Sequence, residues 1–386
     1  MSMITYGKQS IDKNDIESVI EVLEGELITQ GPKVKEFESA LKKKFGTKYS
    51  CVVSSGTAAL HLTGLALGWR SDDIIITSPI TFLASANAII YTGSIPDFVD
   101  IDPLRYTIDP NKLEDKVKKY LNKGKKIKAV IGIDYAGHPC DWQALREIAN
   151  KYEFRLVNDN CHALGASYFG NSKYAIQYAD VVIQSYHAVK HITTGEGGSI
   201  LTNDKSIDTK VRLLKSHGMN KNVNINEKGL WYYEMHEVGF NYRITDLQCA
   251  LGISQIKKLD NFVTKRKTIA ERYNKSFNHD DRFTTPKIFE NIQHAYHLYP
   301  LLIKFNKLKN TKNDFFNKMK RKNIILQVHY IPVHTQPFYK KNFNFKVGDF
   351  PLAENFYMNE VSIPMYVNLN EKEIDFIIKE IKKNLV

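Results

Sequence analysis

Asp180-Val181-Val182-Ile183-Gln184-Ser185 is a short, nearly continuous apolar run and Ser199-Ile200-Leu201-Thr202 is a second. Between them lies Tyr186-His187-Ala188-Val189-Lys190-His191-Ile192-Thr193-Thr194-Gly195-Glu196-Gly197-Gly198. Short runs without apolar/polar alternation read as strands covered by helices on both faces. Outward from this pair, comparable runs recur at residues 51–53, 74–76, 95–101, 129–134 and 155–159, separated by segments of helical spacing. This alternation predicts a doubly wound α/β fold with about seven strands in a mostly parallel sheet.

At the N-terminal end, Ile16, Val19, Ile20 and Leu23 recur at helical spacing and predict a helix over 13–25. Beyond Gly239 the pattern changes to a long helical stretch, 245–278, with Leu247, Leu251, Ile253, Ile256 and Leu259 on its apolar face. Strands are expected at 298–303 and 324–329, and a last helix at 371–383. The expected division is a large α/β domain over 1–245 and a smaller α+β domain over 246–386.

The chain has 386 residues, 43% apolar and 25% charged, a globular composition long enough for about two domains. Its first ten residues lack the basic stretch and apolar core of a secretion signal, and no apolar run reaches the roughly 20 residues of a membrane span. A cytoplasmic location is therefore expected, with no membrane partner. Cys51, Cys140, Cys161 and Cys249 are widely spaced and read as reduced, buried thiols. The net charge of +12 raises the question of a nucleic-acid partner. Lys42-Lys43-Lys44 and the 116–128 cluster instead read as solvated faces, because they lack interleaved aromatics.

In a sheet of this kind, ligands bind beyond the carboxyl ends of the strands, and polar groups gather at three such junctions. Ser54-Ser55-Gly56-Thr57-Ala58-Ala59-Leu60 is a small-residue turn entering a helix, either a phosphate cup or an ordinary capped turn. Leu156-Val157-Asn158-Asp159-Asn160-Cys161-His162 puts a carboxylate at the tip of a buried run, where it needs a cationic partner or serves as a helix cap. Lys190 sits among hydroxyls and glycines; it is either a surface charge or a desolvated amine able to form a Schiff base. The pairs His187/His191 and His329/His334 lack a nearby Cys or carboxylate, so no metal is expected.

Taken in order, the turn, Asp159-x-x-His162, Ser185-x-x-x-x-Lys190, Gly195-Glu196-Gly197-Gly198 and Gly239-Phe240-Asn241-Tyr242-Arg243 closely resemble the DegT/DnrJ/StrS family of sugar aminotransferases, of fold type I. The resemblance runs from Leu27-Ile28-Thr29-Gln30-Gly31-Pro32 through Pro79-Ile80-Thr81-Phe82-Leu83-Ala84-Ser85-Ala86-Asn87 to Gln327-Val328-His329-Tyr330 and Ser362-Ile363-Pro364. It implies a pyridoxal 5′-phosphate enzyme built as a homodimer with shared active sites. By resemblance, Lys190 carries the cofactor and moves the proton, and Asp159 pairs with the ring nitrogen. Phe82 stacks on the ring and His162 lies near its hydroxyl. Gly56, Thr57 and Ser185 hold the phosphate together with Asn241 of the opposite subunit, while His329 and Tyr330 meet the sugar.

Dehydrating relatives have His in place of this lysine, so Lys190 implies transamination. Asp134-Tyr135-Ala136-Gly137 and Ser216-His217-Gly218-Met219 are similar to the branch that aminates a UDP-linked 4-keto-6-deoxy-N-acetylhexosamine on the route to pseudaminic acid, with L-glutamate as donor. Another dTDP-, GDP- or UDP-linked keto-sugar is the alternative substrate. A non-catalytic regulator that keeps the fold is the alternative of a different class.

Overall fold

The computed structural model describes residues 3–220 and 228–385. Seven strands form one sheet: β1 (Tyr49–Val53), β2 (Ile74–Thr77), β3 (Ile95–Phe98), β4 (Ile127–Ile133), β5 (Arg155–Asp159), β6 (Val181–Ser185) and β7 (Gly198–Thr202), in the order β1-β7-β6-β5-β4-β2-β3. All neighbours run parallel except β7, which is antiparallel to both β1 and β6. Each is one of the seven apolar runs, although the run at 95–101 ends as a strand at Phe98 and continues only to a single bridge between Ile101 and Ile108.

Successive residues of these strands serve opposite faces. Val52, Ile74, Ile76, Val130, Leu156, Val182 and Leu201 belong to one core cluster, while Val53, Ile75, Ile131, Val157, Ile183 and Ile200 belong to another. Both faces of the sheet are therefore buried, which is why the strands are continuously apolar.

Helix α1 (Lys13–Leu23) forms as the spacing predicts, closed by a capping box between Asp12 and Asp15. Its apolar stripe, however, faces outward: Ile16 is 53% exposed and Leu23 58%, and Asp15 and Val22 are the buried positions. Helix α2 (Pro32–Phe45) ends at Gly46, whose left-handed backbone terminates it. Helices α3 (Gly56–Ala66) and α4 (Leu83–Tyr91) follow β1 and β2.

The long helical stretch is two helices, Asp246–Ile256 and Leu259–Phe277. At the break, Lys258 Nζ reaches back to Asp12 at 2.6 Å and Asp15 at 2.8 Å, contacts that periodicity does not register. A second, antiparallel sheet contains β8 (Phe283–Thr284), β9 (Tyr299–Ile303) and β10 (Glu360–Ile363) in that order. It packs with the helices Leu259–Phe277, Lys312–Arg321 and Glu371–Asn384 around Tyr273, Phe315 and Ile377. The strand expected at 324–329 does not form. That segment is extended and held by single bridges, Ile4 to Ile324 and Gln327 to Ser362, so it lies beside β10 without a ladder. Farther on, Val333, Tyr339, Phe350 and Phe356 return to the second face of the large sheet.

Candidate active site

Since β7 is antiparallel to both neighbours, β1 and β6 run the same way as β2, β4 and β5, and their carboxyl ends share one edge. A cavity of about 630 Å³ opens there. It is lined by Gly56, Thr57, Phe82, Asp159, His162, Ser185, Lys190, His329 and Tyr330, every expected site residue except Asn241.

The turn after β1 enters α3 through Ser55, whose Oγ accepts the Ala58 N–H at 3.0 Å. Two positions here have little room for a side chain: a Cβ on Gly56 would lie 3.0 Å from Ser185 Cβ, and one on Gly198 would lie 2.5 Å from the Ser55 carbonyl oxygen. Glycine at both positions lets β7 press against the first turn of α3, where free N–H groups and the helix dipole favour an anion.

Asp159 ends β5 and is buried. Its Oδ2 accepts the Ser85 hydroxyl at 2.7 Å and its Oδ1 accepts the Cys161 N–H at 3.2 Å. No lysine, arginine or histidine forms a close ion pair with it among the described residues, although Lys190 across the cavity interacts with it electrostatically, so the buried carboxylate has room for a cationic partner. A protonated ring nitrogen is the partner such a group requires.

Lys190 lies in the loop between β6 and β7, half-buried, with Nζ 3.5 Å from Nε2 of His297. Burial lowers its pKa, against a smaller pull upward from Cys161 and Asp159. A lysine whose neutral form is favoured is a competent nucleophile and proton carrier.

His162 is held neutral, its pKa well below the ordinary value because of burial and the nearby Lys190. Its Nδ1 accepts the Ala136 N–H at 3.3 Å, which places the proton on Nε2, and Nε2 donates to the Tyr330 hydroxyl at 3.1 Å. The tyrosine proton is thereby free to point into the cleft. Burial also brings the His329 pKa down to about 3, with help from Lys190. The Phe82 side chain is exposed at the rim, its ring centroid 6.0 Å from that of Tyr330.

Asn241 lies outside the cavity, exposed, in a single bridge to Ser216. It does not cap the following helix, a position occupied by Thr245 in a capping box with Gln248. Of the paired histidines, His191 bonds the Ala295 carbonyl and His334 bonds Glu354, so both brace the fold, and only His187 and His329 line the cavity. Among the described residues no three His, Cys, Asp or Glu side chains cluster to hold a metal ion.

The sequence gives no expectation for several other cavity residues, among them Tyr6, Ser85, His297 and Gln327. Ser85 and Gln327 fall inside motifs of the resemblance, but the separation of Ser85 from Asp159 and of Gln327 from Ser362 in the chain carries no sign of their contact. Tyr6 and His297 bring no signal at all, since a lone aromatic or histidine near an apolar run reads as core.

Comparison with known proteins gives this geometry its class. The model of the DegT/DnrJ/EryC1/StrS aminotransferase family matches residues 9–382, and the chain belongs to that family. Over 377 residues it is 40% identical to the UDP-4-amino-4,6-dideoxy-N-acetyl-beta-L-altrosamine transaminase of Campylobacter jejuni, covering 97% of this chain and 96% of the relative. The structure of Helicobacter pylori PseC, an aminotransferase involved in the biosynthesis of pseudoaminic acid, superposes with a TM-score of 0.90 at 32% identity over 99% of both chains. A putative sugar aminotransferase of Streptococcus pneumoniae, Spr1654, solved in its PMP form, gives a TM-score of 0.90 at 27% identity over 98% of both chains. This protein is accordingly a pyridoxal-phosphate-dependent sugar aminotransferase.

Proposed function

We propose that the protein converts the 4-keto group of UDP-2-acetamido-2,6-dideoxy-beta-L-arabino-hexos-4-ulose to an amine with L-glutamate as donor, in pseudaminic acid or related surface-glycan biosynthesis. The observation that carries the reading is Asp159, a buried carboxylate without a close ion pair among the described residues, in one cavity with the amine of Lys190. The full-length similarity to the Campylobacter enzyme supports the choice of sugar.

In this reading Gly56, Thr57 and Ser185 hold the cofactor phosphate, Phe82 covers the ring and His162 meets its hydroxyl. Pyridoxal phosphate supplies an electron sink for the pair left when a substrate carbon loses its proton. Asp159 keeps the ring nitrogen protonated through its negative charge, and Ser85 fixes the direction of that carboxylate. Lys190 Nζ, its pKa lowered by burial, carries the proton to and from the substrate. His329 and Tyr330 receive the sugar.

The active unit in this proposal is a homodimer. Ile16, Ile20 and Leu23 on α1 and the neighbouring Leu27 and Ile28 form an exposed apolar strip suited to a second copy, and Asn241 lies outside the cavity of its own chain. A panel of UDP-, dTDP- and GDP-linked keto-sugars assayed with glutamate tests the function. Turnover confined to the UDP-linked 4-keto-6-deoxy-N-acetylhexosamine is expected, and preference for a GDP- or dTDP-sugar refutes the assignment.

A further inference from the structure

We propose that Glu360 and Ser362 are positioning residues that hold His329 with its ring proton on Nδ1, so that Nε2 faces the cleft as a hydrogen-bond acceptor for a hydroxyl or amide N–H of the sugar. The inference rests on the reading of this cleft as a sugar-aminating site and identifies how the same cleft tells the sugar from the amino donor.

The geometry is a three-residue chain. Glu360 and Ser362 lie on β10 and are fully buried, and Ser362 bridges the backbone of Gln327 in the segment that carries His329. Glu360 Oε2 accepts the backbone N–H of His329 at 2.9 Å, and Oε1 accepts the Ser362 hydroxyl at 2.5 Å. The one proton of Ser362 is thereby committed, so its Oγ is an acceptor toward His329 Nδ1, 2.8 Å away. With Glu360 ionised, Nδ1 carries the proton and Nε2 is bare.

Further contacts keep the ring in place. The His329 carbonyl accepts the Tyr135 hydroxyl, and the Tyr6 ring lies 5.2 Å from the imidazole. Burial pushes the Glu360 carboxyl up to about 7, and the Ser362 hydroxyl, the charge of Lys312 and the His329 N–H oppose that rise. Nε2 has no hydrogen-bond partner among the described residues and His329 lines the cavity.

A bare nitrogen discriminates by chemistry. Sugar hydroxyls and an acetamido N–H donate to it, whereas a carboxylate offers only acceptors. A neutral His329 supplies no charge to attract the carboxylate either. The residue therefore favours the sugar over the acid that alternates with it in one cleft.

The holoenzyme is tested by following the two half-reactions separately through the visible absorbance of the cofactor, one with L-glutamate and one with the UDP-linked 4-keto-6-deoxy-N-acetylhexosamine. In Glu360→Gln the single amide oxygen stays on the His329 N–H, its NH2 donates to Ser362, and Ser362 must donate to Nδ1, which moves the ring proton to Nε2. The ratio of kcat/KM for sugar to kcat/KM for glutamate is expected to fall about tenfold or more, mostly through KM for the sugar. Ser362→Ala removes the relay without reversing it and is expected to lower the same ratio several-fold, which keeps the test decisive if the Gln variant does not fold. An unchanged ratio in both variants, or equal losses in both half-reactions, overturns the proposal. His329→Ala provides the reference: if it leaves the ratio intact, His329 is no sugar contact and the relay has no role. A wild-type protein that reacts with glutamate and with no UDP-keto-sugar refutes the substrate reading itself, a failure visible before any variant is made.

Discussion

The Ser85 hydroxyl donates to Oδ2 of Asp159 at 2.7 Å and is itself paired with Thr81 Oγ1 at 2.9 Å. The first turn of α4 thus orients the carboxylate at the end of β5. Ser85→Ala is expected to retain cofactor and lose about tenfold in kcat, the effect of one hydrogen bond to a charged group. Asp159→Asn should lose more than about a hundredfold, because the ring nitrogen no longer has an anionic partner. Steady-state kinetics on both variants checks the order, and equal rates for the two would remove Asp159 from its role.

Lys190→Ala is expected to fold with an unchanged melting temperature and to lose transamination by more than about a hundredfold, since carrier and proton-transfer functions vanish together. Burial favours the neutral amine, so in the cofactor-free protein Lys190 should become reactive at lower pH than the surface lysines. Acetylation measured across a pH series gives its midpoint, and a value at or above the ordinary lysine value of 10.5 contradicts the desolvated site.

At Gly198 an added Cβ would meet the Ser55 carbonyl at 2.5 Å and the Gly56 nitrogen at 2.7 Å, both backbone atoms that cannot rotate away. Gly198→Ala is expected to displace the first turn of α3 and destabilise the protein by about 1–3 kcal/mol. Cofactor retention measured by dialysis should fall with it, and a variant that melts and binds like wild type shows the turn to be more compliant than its contacts indicate.

Thr245, not Asn241, caps the helix Asp246–Ile256, so the loss of Asn241 removes no helix cap. Asn241→Ala and Lys190→Ala homodimers are each expected to be impaired, and a mixture allowed to exchange subunits should recover activity through heterodimers with one intact site. If exchange is demonstrated by labelled subunits and no activity returns, the shared site is refuted. Sedimentation showing an active monomer has the same consequence.

The sequence by itself determined the strands of the large sheet and the residues at their carboxyl ends, because both depend on local patterns. Val181 to Ile183 is apolar on successive residues since both faces of the strand are covered, Asp159 stands at the tip of a buried run, and Lys190 stands among hydroxyls and glycines. The outward-facing stripe of α1 and the break at Lys258 were not legible there, since periodicity registers an apolar face but not the direction in which it packs. Residues 324–329 carry a strand pattern, and only the tertiary structure decides that they pass beside β10 with isolated bridges instead of a ladder. The same holds for His297 against Lys190, Ser85 against Asp159 and Ser362 against His329, pairs separated by 107, 74 and 33 residues. Such contacts are set by the packing of distant elements, and a hydrogen bond that acts over about 3 Å leaves no periodic trace in the chain that forms it.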